Sequence, residues 1–347
     1  METDHRVVVG DARSLESLAD DAVELVVTSP PYPMIEMWDE TFAALDGRVG
    51  DALEAGAGRA AFEAMHSVLD DVWAEVARVL VPGGLACVVV GDATRSLEEF
   101  RVYPNHARVL EALERNGLDP LPDVLWRKPT NSGAKFMGSG MLPPNAYATL
   151  EHEYVLVARN GPPRSFEPNA DRRYEAAYFW EERNRWFSDV WTDLPGEPQA
   201  LAVDAGRDRS GAFPLAVPYR LICMYSVYGD RVLDPFWGTG TTSLAAMAAG
   251  RSSVGVELDP EVAADLADRV DALPETSRRL ARDRLAAHRA FVRDRETAPE
   301  YRAVHYDTRV VTGQERRIRL YEATTVRETP EGYAVEHEPF EPPSDRS

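Results

Sequence analysis

The chain has 347 residues, 44% of them hydrophobic and seven of them Trp, which is apolar mass enough for one large domain or a domain with an appendage. No run approaches the roughly 20 uninterrupted apolar residues of a membrane span, and the opening METDHR has neither the basic nor the apolar segment of a signal peptide. The formal net charge of −20 is unusual for a partner of nucleic acid, whose phosphates are normally met by basic surface.

Val7–Val9, a Gly-Asp pair, a helix-like SLESLAD and the apolar run 24–28 read as strand, helix and strand, the second strand stopping at Ser29-Pro30-Pro31-Tyr32. Residues 33–60, rich in Gly and Ala with scattered acids, read as a mobile loop. From Phe62 to Leu80 the apolar positions recur at helical spacing, Pro82-Gly83-Gly84 closes that helix, and Leu85–Val90 is an apolar strand of the kind found in buried parallel sheets. A helix over 103–116 and strands at 123–126 and 154–158 follow. Residues 159–212 are irregular, Arg-rich and aromatic. Regular structure returns with a helix over 215–228, a strand at 231–233, a Gly-rich turn, a helix over 242–249 and a strand at 253–257. A long polar helix is expected over 260–296, then an alternating, strand-like segment over 301–335 and a disordered tail rich in Pro and acids. Strands alternating with helices predict a doubly wound α/β sheet. The expected divisions are 1–158, 159–212 as an insertion, 213–298, a small β appendage at 299–335, and the tail 336–347.

Two motifs carry chemistry. The first is LDPFWGTGTT, in which Asp234, Pro235, Phe236, Gly238, Gly240 and Thr241 lie between a strand and a helix. Glycines there let the backbone turn tightly and approach a ligand at a helix N-terminus. The third glycine of a dinucleotide fingerprint is missing, which argues against a nicotinamide oxidoreductase. Glu257 ends the next strand, about where an acid would hold ribose hydroxyls. The second motif is Thr28-Ser29-Pro30-Pro31-Tyr32, at the end of a strand. Its prolines fix an extended turn and remove two donors, the neighbouring carbonyls stay free to accept, and the tyrosine offers a face for stacking a base. Either motif alone is also an ordinary turn.

Together, and in this order, they resemble the amino-methylating DNA methyltransferases that act on N6 of adenine or N4 of cytosine. The resemblance covers residues 6 to about 270. Asp234 to Thr241 matches "DPFxGxGT", Ser29 to Tyr32 matches "(D/N/S)PP(Y/F/W)", and Gly10-Asp11-Ala12 looks like the segment that contacts the cofactor adenine. Further matches are VLWRKP at 124–129, Glu151-His152-Glu153-Tyr154, and Phe213-Pro214 with Tyr219-Arg220-Leu221-Ile222. The catalytic motif precedes the glycine loop, the permuted order of the family's beta group.

The resemblance implies a Rossmann-like S-adenosylmethionine-dependent methyltransferase fold. S-adenosyl-L-methionine would be held by Asp11, Asp234, Pro235, Phe236, Gly238, Gly240, Thr241 and Glu257, and catalysis would fall to Ser29, Pro30, Pro31 and Tyr32, without a metal. Serine at position 29 leans toward N4 of cytosine in a flipped-out base, since the adenine enzymes mostly carry Asp or Asn there. N6-adenine methylation and methylation of a cytidine in ribosomal RNA are the alternatives. Ring-carbon methylation needs a thiolate nucleophile, and neither Cys87 nor Cys223 follows a proline. Both sit in apolar runs and read as buried hydrophobes in a cytoplasmic protein without disulfides. DNA is the expected partner, with a cognate restriction endonuclease as a further one.

Residues 124–150 contain no Asp or Glu in a chain with 58 acids, and they hold both of its lysines, Lys128 and Lys135. With Arg127 and Asn131 they form the expected contact with the phosphate backbone. A second expectation places target recognition in 159–212, where arginines and aromatics interleave. Acids in excess with almost no lysine resemble the proteins of halophilic, salt-accumulating archaea. At ~1 M salt the Debye length is about 3 Å, so repulsion between the chain and DNA would be screened.

Overall fold

The computed structural model describes residues 1–128, 137–138, 141–195, 213–263 and 266–343. The chain begins with β1 (Glu2–Val9) and β2 (Val23–Thr28). Where a loop was expected over 33–60, it forms α1 (Asp39–Leu45) and α2 (Gly47–Glu54) before α3 (Gly58–Val79). Each of the two helices is only about two turns long, too short for a helical period to stand out. Phe42 and Val49 are their buried anchors, and the Asp46 side chain caps α2 by accepting from the Arg48 N–H at 2.9 Å.

β3 (Leu80–Val90) starts directly after α3, so Pro82-Gly83-Gly84 lies inside the strand rather than at the helix end. Its pairing with β2 jumps from Leu80 to Leu85, an irregularity that absorbs the intervening residues. Next come the hairpin β4 (Ala93–Ser96) and β5 (Phe100–Tyr103), then α4 (Asn105–Arg115), β6 (Leu118–Arg127), the short pair β7 (Met137–Gly138) and β8 (Ala146–Tyr147), and β9 (His152–Asn160). The described part of 159–212 is not irregular throughout: it contains α5 (Asp171–Glu175), α6 (Trp180–Trp186) and β10 (Val190–Trp191).

α7 (Ala216–Tyr225), β11 (Arg231–Asp234), α8 (Thr241–Ala249) and β12 (Ser252–Glu257) follow the expected order. The single helix expected over 260–296 is instead α9 (Pro260–Ala263), α10 (Ala267–Val270) and α11 (Leu273–Arg293). Pro274 stands in the first turn of α11, where its missing N–H costs nothing, whereas in a continuous helix it would break a hydrogen bond. The chain ends with the pair β13 (Tyr301–Arg302) and β14 (Arg309–Val310), then β15 (Tyr321–Thr329) and β16 (Gly332–Pro339).

Among the described residues, ten strands form one sheet in the order β10-β6-β9-β3-β2-β11-β12-β1-β16-β15. β3, β2, β11, β12 and β1 run parallel, β9 is antiparallel to both β3 and β6, and β16 is antiparallel to β1. Within the expected β appendage, β15 and β16 therefore extend the main sheet, while β13 and β14 pair only with each other. Pairing with β1 carries order past residue 335, where the tail was expected to be disordered: β16 reaches Pro339, and Phe340 is buried.

Alternation along the central strands divides the core. Val26, Ala86 and Val88 face α3 and α4, while Leu25, Val27, Cys87 and Val89 face α7 and α8. From β2 the chain winds outward to β3, and from β11 it winds the other way to β12. The strand order thus reverses between β2 and β11, and ligands of open α/β sheets bind outside the carboxyl ends at such a point. Those ends are Thr28 and Asp234, one leading into the Ser-Pro-Pro-Tyr turn and the other into the glycine loop.

Candidate active site

The two strand ends are joined by a hydrogen bond from the Thr28 hydroxyl to the Asp234 carboxylate, 2.6 Å long, between side chains that are 0% and 3% exposed. Burial pushes the Asp234 carboxyl up to about 6, against the opposing pull of the hydrogen bonds from Thr28 and the Phe236 N–H. This contact sets the Ser-Pro-Pro-Tyr turn beside the glycine loop.

The loop rests on Trp237, a buried indole whose N–H donates to the Ser243 hydroxyl at 2.8 Å. Beneath it, Gly255 of β12 has no side chain, and a methyl group there would overlap the Trp237 ring. Gly238 and Gly240 both adopt left-handed backbone angles, φ 54° and 75°. The Gly238 N–H donates to one Glu257 oxygen at 2.8 Å and the Asp259 N–H to the other at 3.0 Å. Glu257 is thereby aimed, with lone pairs left over for a pair of hydroxyls.

Between the two motifs lies a cavity of about 510 Å³. Its lining includes Asp11, Ser29, Pro30, Pro31, Tyr32, Pro235, Phe236, Gly238 and Glu257, with Leu69 and Val72 of α3 as an apolar wall. Asp11 is gripped by Arg13 at 2.6 Å, which holds its carboxyl below the usual range. Three residues expected to touch the cofactor stand behind the wall: Asp234 as the link to Thr28, Gly240 as the turn into α8, and Thr241 buried in the first turn of that helix. The volume, the apolar wall and the outward carboxylate of Glu257 suit a nucleoside carrying a short charged arm.

At the catalytic end, the Ser29 hydroxyl lies 3.0 Å from the Tyr32 hydroxyl, and the latter lies 3.2 Å from a Glu153 oxygen. Burial, and then the charge of Glu153, raise the Tyr32 phenol well above its ordinary value, so it stays protonated. The buried Asn105 amide donates to the carbonyls of Pro33 at 3.1 Å and Gly91 at 2.9 Å, pinning the far side of the turn. Sequence reasoning missed Asn105 and gave Thr28 and Glu153 no task. A threonine ending a strand, an asparagine starting a helix and a glutamate in a strand are commonplace until the fold brings distant partners to them.

The expected phosphate-binding residues are distributed differently. Lys128 turns toward the active site, where it donates to Glu153 at 2.7 Å and sits 5.0 Å from the centre of the Trp126 ring. Arg127 pairs with Glu151 at 3.2 Å on the surface. Asn131 and Lys135 lie outside the described residues. In the segment expected to recognise a target, Phe179, Trp186 and Trp191 are buried, and Arg220 of α7 stacks over Trp191 while pairing with Asp193 at 2.6 Å. Trp186 and Trp191 join the core beside Trp126 of β6, while Phe179 packs with Leu285 and Tyr306.

Residues 23–268 match a family model described as DNA methylase, a span that takes in both motifs and most of the sheet. The chain belongs to the N4/N6 DNA methylase family. It is 45% identical to the type II methyltransferase M.MthZI of Methanothermobacter thermautotrophicus over 94% of this chain and 93% of that protein. It is also 46% identical to the type II methyltransferase M.MjaI of Methanocaldococcus jannaschii, over 74% and 88%. Among solved structures, a DNA modification methylase of Thermus thermophilus in complex with S-adenosyl-L-methionine matches with 34% identity and a TM-score of 0.61, covering 78% of this chain and 94% of that one. The PvuII DNA methyltransferase, at 17% identity and a TM-score of 0.53 over 80% and 93%, shares the fold. S-adenosylmethionine is the cofactor of this methylase, and the cavity at the switch point is the place in the fold that suits it.

Proposed function

We propose that this methylase is a type II DNA modification enzyme that methylates the exocyclic N4 amine of cytosine in a base turned out of the duplex. The observation that carries the reading is the meeting of Ser29-Pro30-Pro31-Tyr32 with the glycine loop around a single cavity, locked by the Thr28–Asp234 hydrogen bond. When bound, S-adenosylmethionine supplies a methyl group activated by its positive sulfur.

The residues of the chain make the amine receptive. An exocyclic amine is a poor nucleophile because its lone pair is delocalised into the ring. In this reading the Ser29 oxygen and the Pro30 carbonyl accept its two N–H groups and draw the nitrogen toward tetrahedral geometry. The Tyr32 ring stacks on the base, and positioning supplies most of the acceleration. A serine hydroxyl at position 29 favours cytosine over adenine. On the cofactor side, Glu257 would hold the ribose hydroxyls, Phe236 and the apolar wall of α3 would pack against the bound nucleoside, and Asp11 would meet the adenine. The acid-free segment supplies the DNA contact: Arg127, with Asn131 and Lys135, meets phosphates, while Lys128 serves the catalytic end. The names of the archaeal relatives support a restriction–modification setting with a cognate endonuclease.

The test is transfer from methyl-labelled S-adenosylmethionine to amplified, hence unmethylated, DNA of mixed sequence and, separately, to total RNA. Label should enter the DNA and leave the RNA unmarked. Label in RNA alone would contradict the assignment of DNA as substrate.

A further inference from the structure

An amine that gains a methyl group must lose a proton, and Ser29 cannot keep it: a serine hydroxyl is neutral and a very weak base. The structure offers an exit. Glu153 as a carboxylate can only accept, so the 3.2 Å contact with Tyr32 requires the phenol to donate. With its one proton committed to Glu153, the Tyr32 oxygen can only accept from Ser29 at 3.0 Å. The Ser29 proton is then committed in turn, and its oxygen faces the cavity with lone pairs alone. Every donor in the row points the same way, from the site of the amine toward Glu153. The raised Tyr32 phenol fits this polarity, because it remains protonated and able to donate.

We propose that Ser29, Tyr32 and Glu153 form a one-way proton relay in which Glu153 takes the proton released by the methylated amine. This rests on the amine-methylation reading above. As the new N–C bond forms and the S–C bond of the cofactor breaks, an N–H bond pair returns to nitrogen. That proton passes to the Ser29 oxygen, the Ser29 proton passes to the Tyr32 oxygen, and the Tyr32 proton passes to the Glu153 oxygen 3.2 Å away. One proton leaves the amine and one arrives at Glu153, with Ser29 and Tyr32 restored. Lys128 holds the other Glu153 oxygen at 2.7 Å and so reserves the acceptor facing Tyr32. Gly91 leaves the space beside Tyr32 and Glu153 in which the row is assembled.

Glu153→Gln keeps the shape and removes the base. In single-turnover methylation of amplified DNA it should be about 100-fold slower, the range expected for a lost proton acceptor. Calorimetric affinity for S-adenosylmethionine should stay within about twofold, since Glu153 does not line the cofactor wall. Tyr32→Phe should be slowed similarly, and the double variant should be no slower than the slower single, because both break one chain. For Glu153→Gly, added formate should restore rate, while formamide of the same size should not. Labelled DNA at an unchanged rate with Glu153→Gln, or equal rescue by formamide and formate, overturns the relay alone. Unaltered protein that places no label in DNA overturns the methylation reading and the relay with it.

Discussion

Asp234 is buried for a purpose that its own stability does not serve. Its carboxyl, pushed up to about 6, holds a proton more tightly in the fold than in the unfolded chain, where aspartate titrates near ~3.9. The native state carries the extra proton between about pH 4 and 6, so stability falls as pH rises through that window and stays lowered above it. A shift of about two units corresponds to roughly 3 kcal/mol. Asp234→Asn keeps an acceptor for Thr28 and for the Phe236 N–H while removing the charge. We expect its melting temperature at pH 7.5 to equal or exceed that of the unaltered protein. Its affinity for the cationic cofactor should fall by about tenfold, as the loss of a charge behind the cavity implies. A lower melting temperature with unchanged affinity would reverse this account. At this scale the sequence reveals residues whose type is rare in its setting, such as Ser29-Pro30-Pro31-Tyr32 and the glycines of the loop. Thr28, Asn105 and Glu153 acquire meaning through partners 206, 72 and 121 positions away along the chain, which no local pattern records.

Among elements, β12 carries a constraint that its sequence shows only as a glycine in a strand. Gly255 lies under Trp237, and Trp237 supports the glycine loop. Gly255→Ala should displace the indole, lowering the melting temperature by several degrees, as overpacking of about 1–3 kcal/mol implies. Cofactor affinity should fall with it, measured by calorimetry on the folded fraction; unchanged affinity would show that the loop does not depend on this support. Long elements were legible for physical reasons: α3 repeats its apolar residues every three or four positions, and Leu85–Val90 is apolar on both faces because helices cover both. α1 and α2 were not, since one buried residue each cannot make a period. The joining of β16 to β1 was equally hidden. Alternation showed that a strand existed, but not that its partner lay at the opposite end of the chain.

Over the whole molecule, buried histidines set the response to acid, and two of them, His5 and His337, sit at the β1–β16 seam. His5 of β1 contacts Thr3 and Ser253 at 2.9 Å, His337 of β16 contacts the Met247 carbonyl at 2.7 Å, and His66 is buried against Asn105. Burial lowers all three, His5 and His66 to about 3. The unfolded chain binds these protons near pH ~6.5 while the fold refuses them, so stability is full above that value and is lost as pH falls. By pH 5, His5 and His66 each remove roughly 2 kcal/mol; Asp234 returns roughly 1 kcal/mol in the same interval, and the buried His288, raised against its burial by Glu181, also opposes the loss. The urea midpoint should therefore drop between pH 7.5 and pH 5, and an unchanged midpoint would contradict this assignment. The net charge of −20 was legible from composition and pointed to the solvent; the switch-point cavity pointed to the reaction. The central claim is that a cytosine amine receives the methyl group. Its most direct test is to digest the DNA labelled by this methylase to nucleosides and identify the labelled one by chromatography and mass. N4-methyldeoxycytidine is the expected product, and N6-methyldeoxyadenosine without N4-methyldeoxycytidine would contradict it.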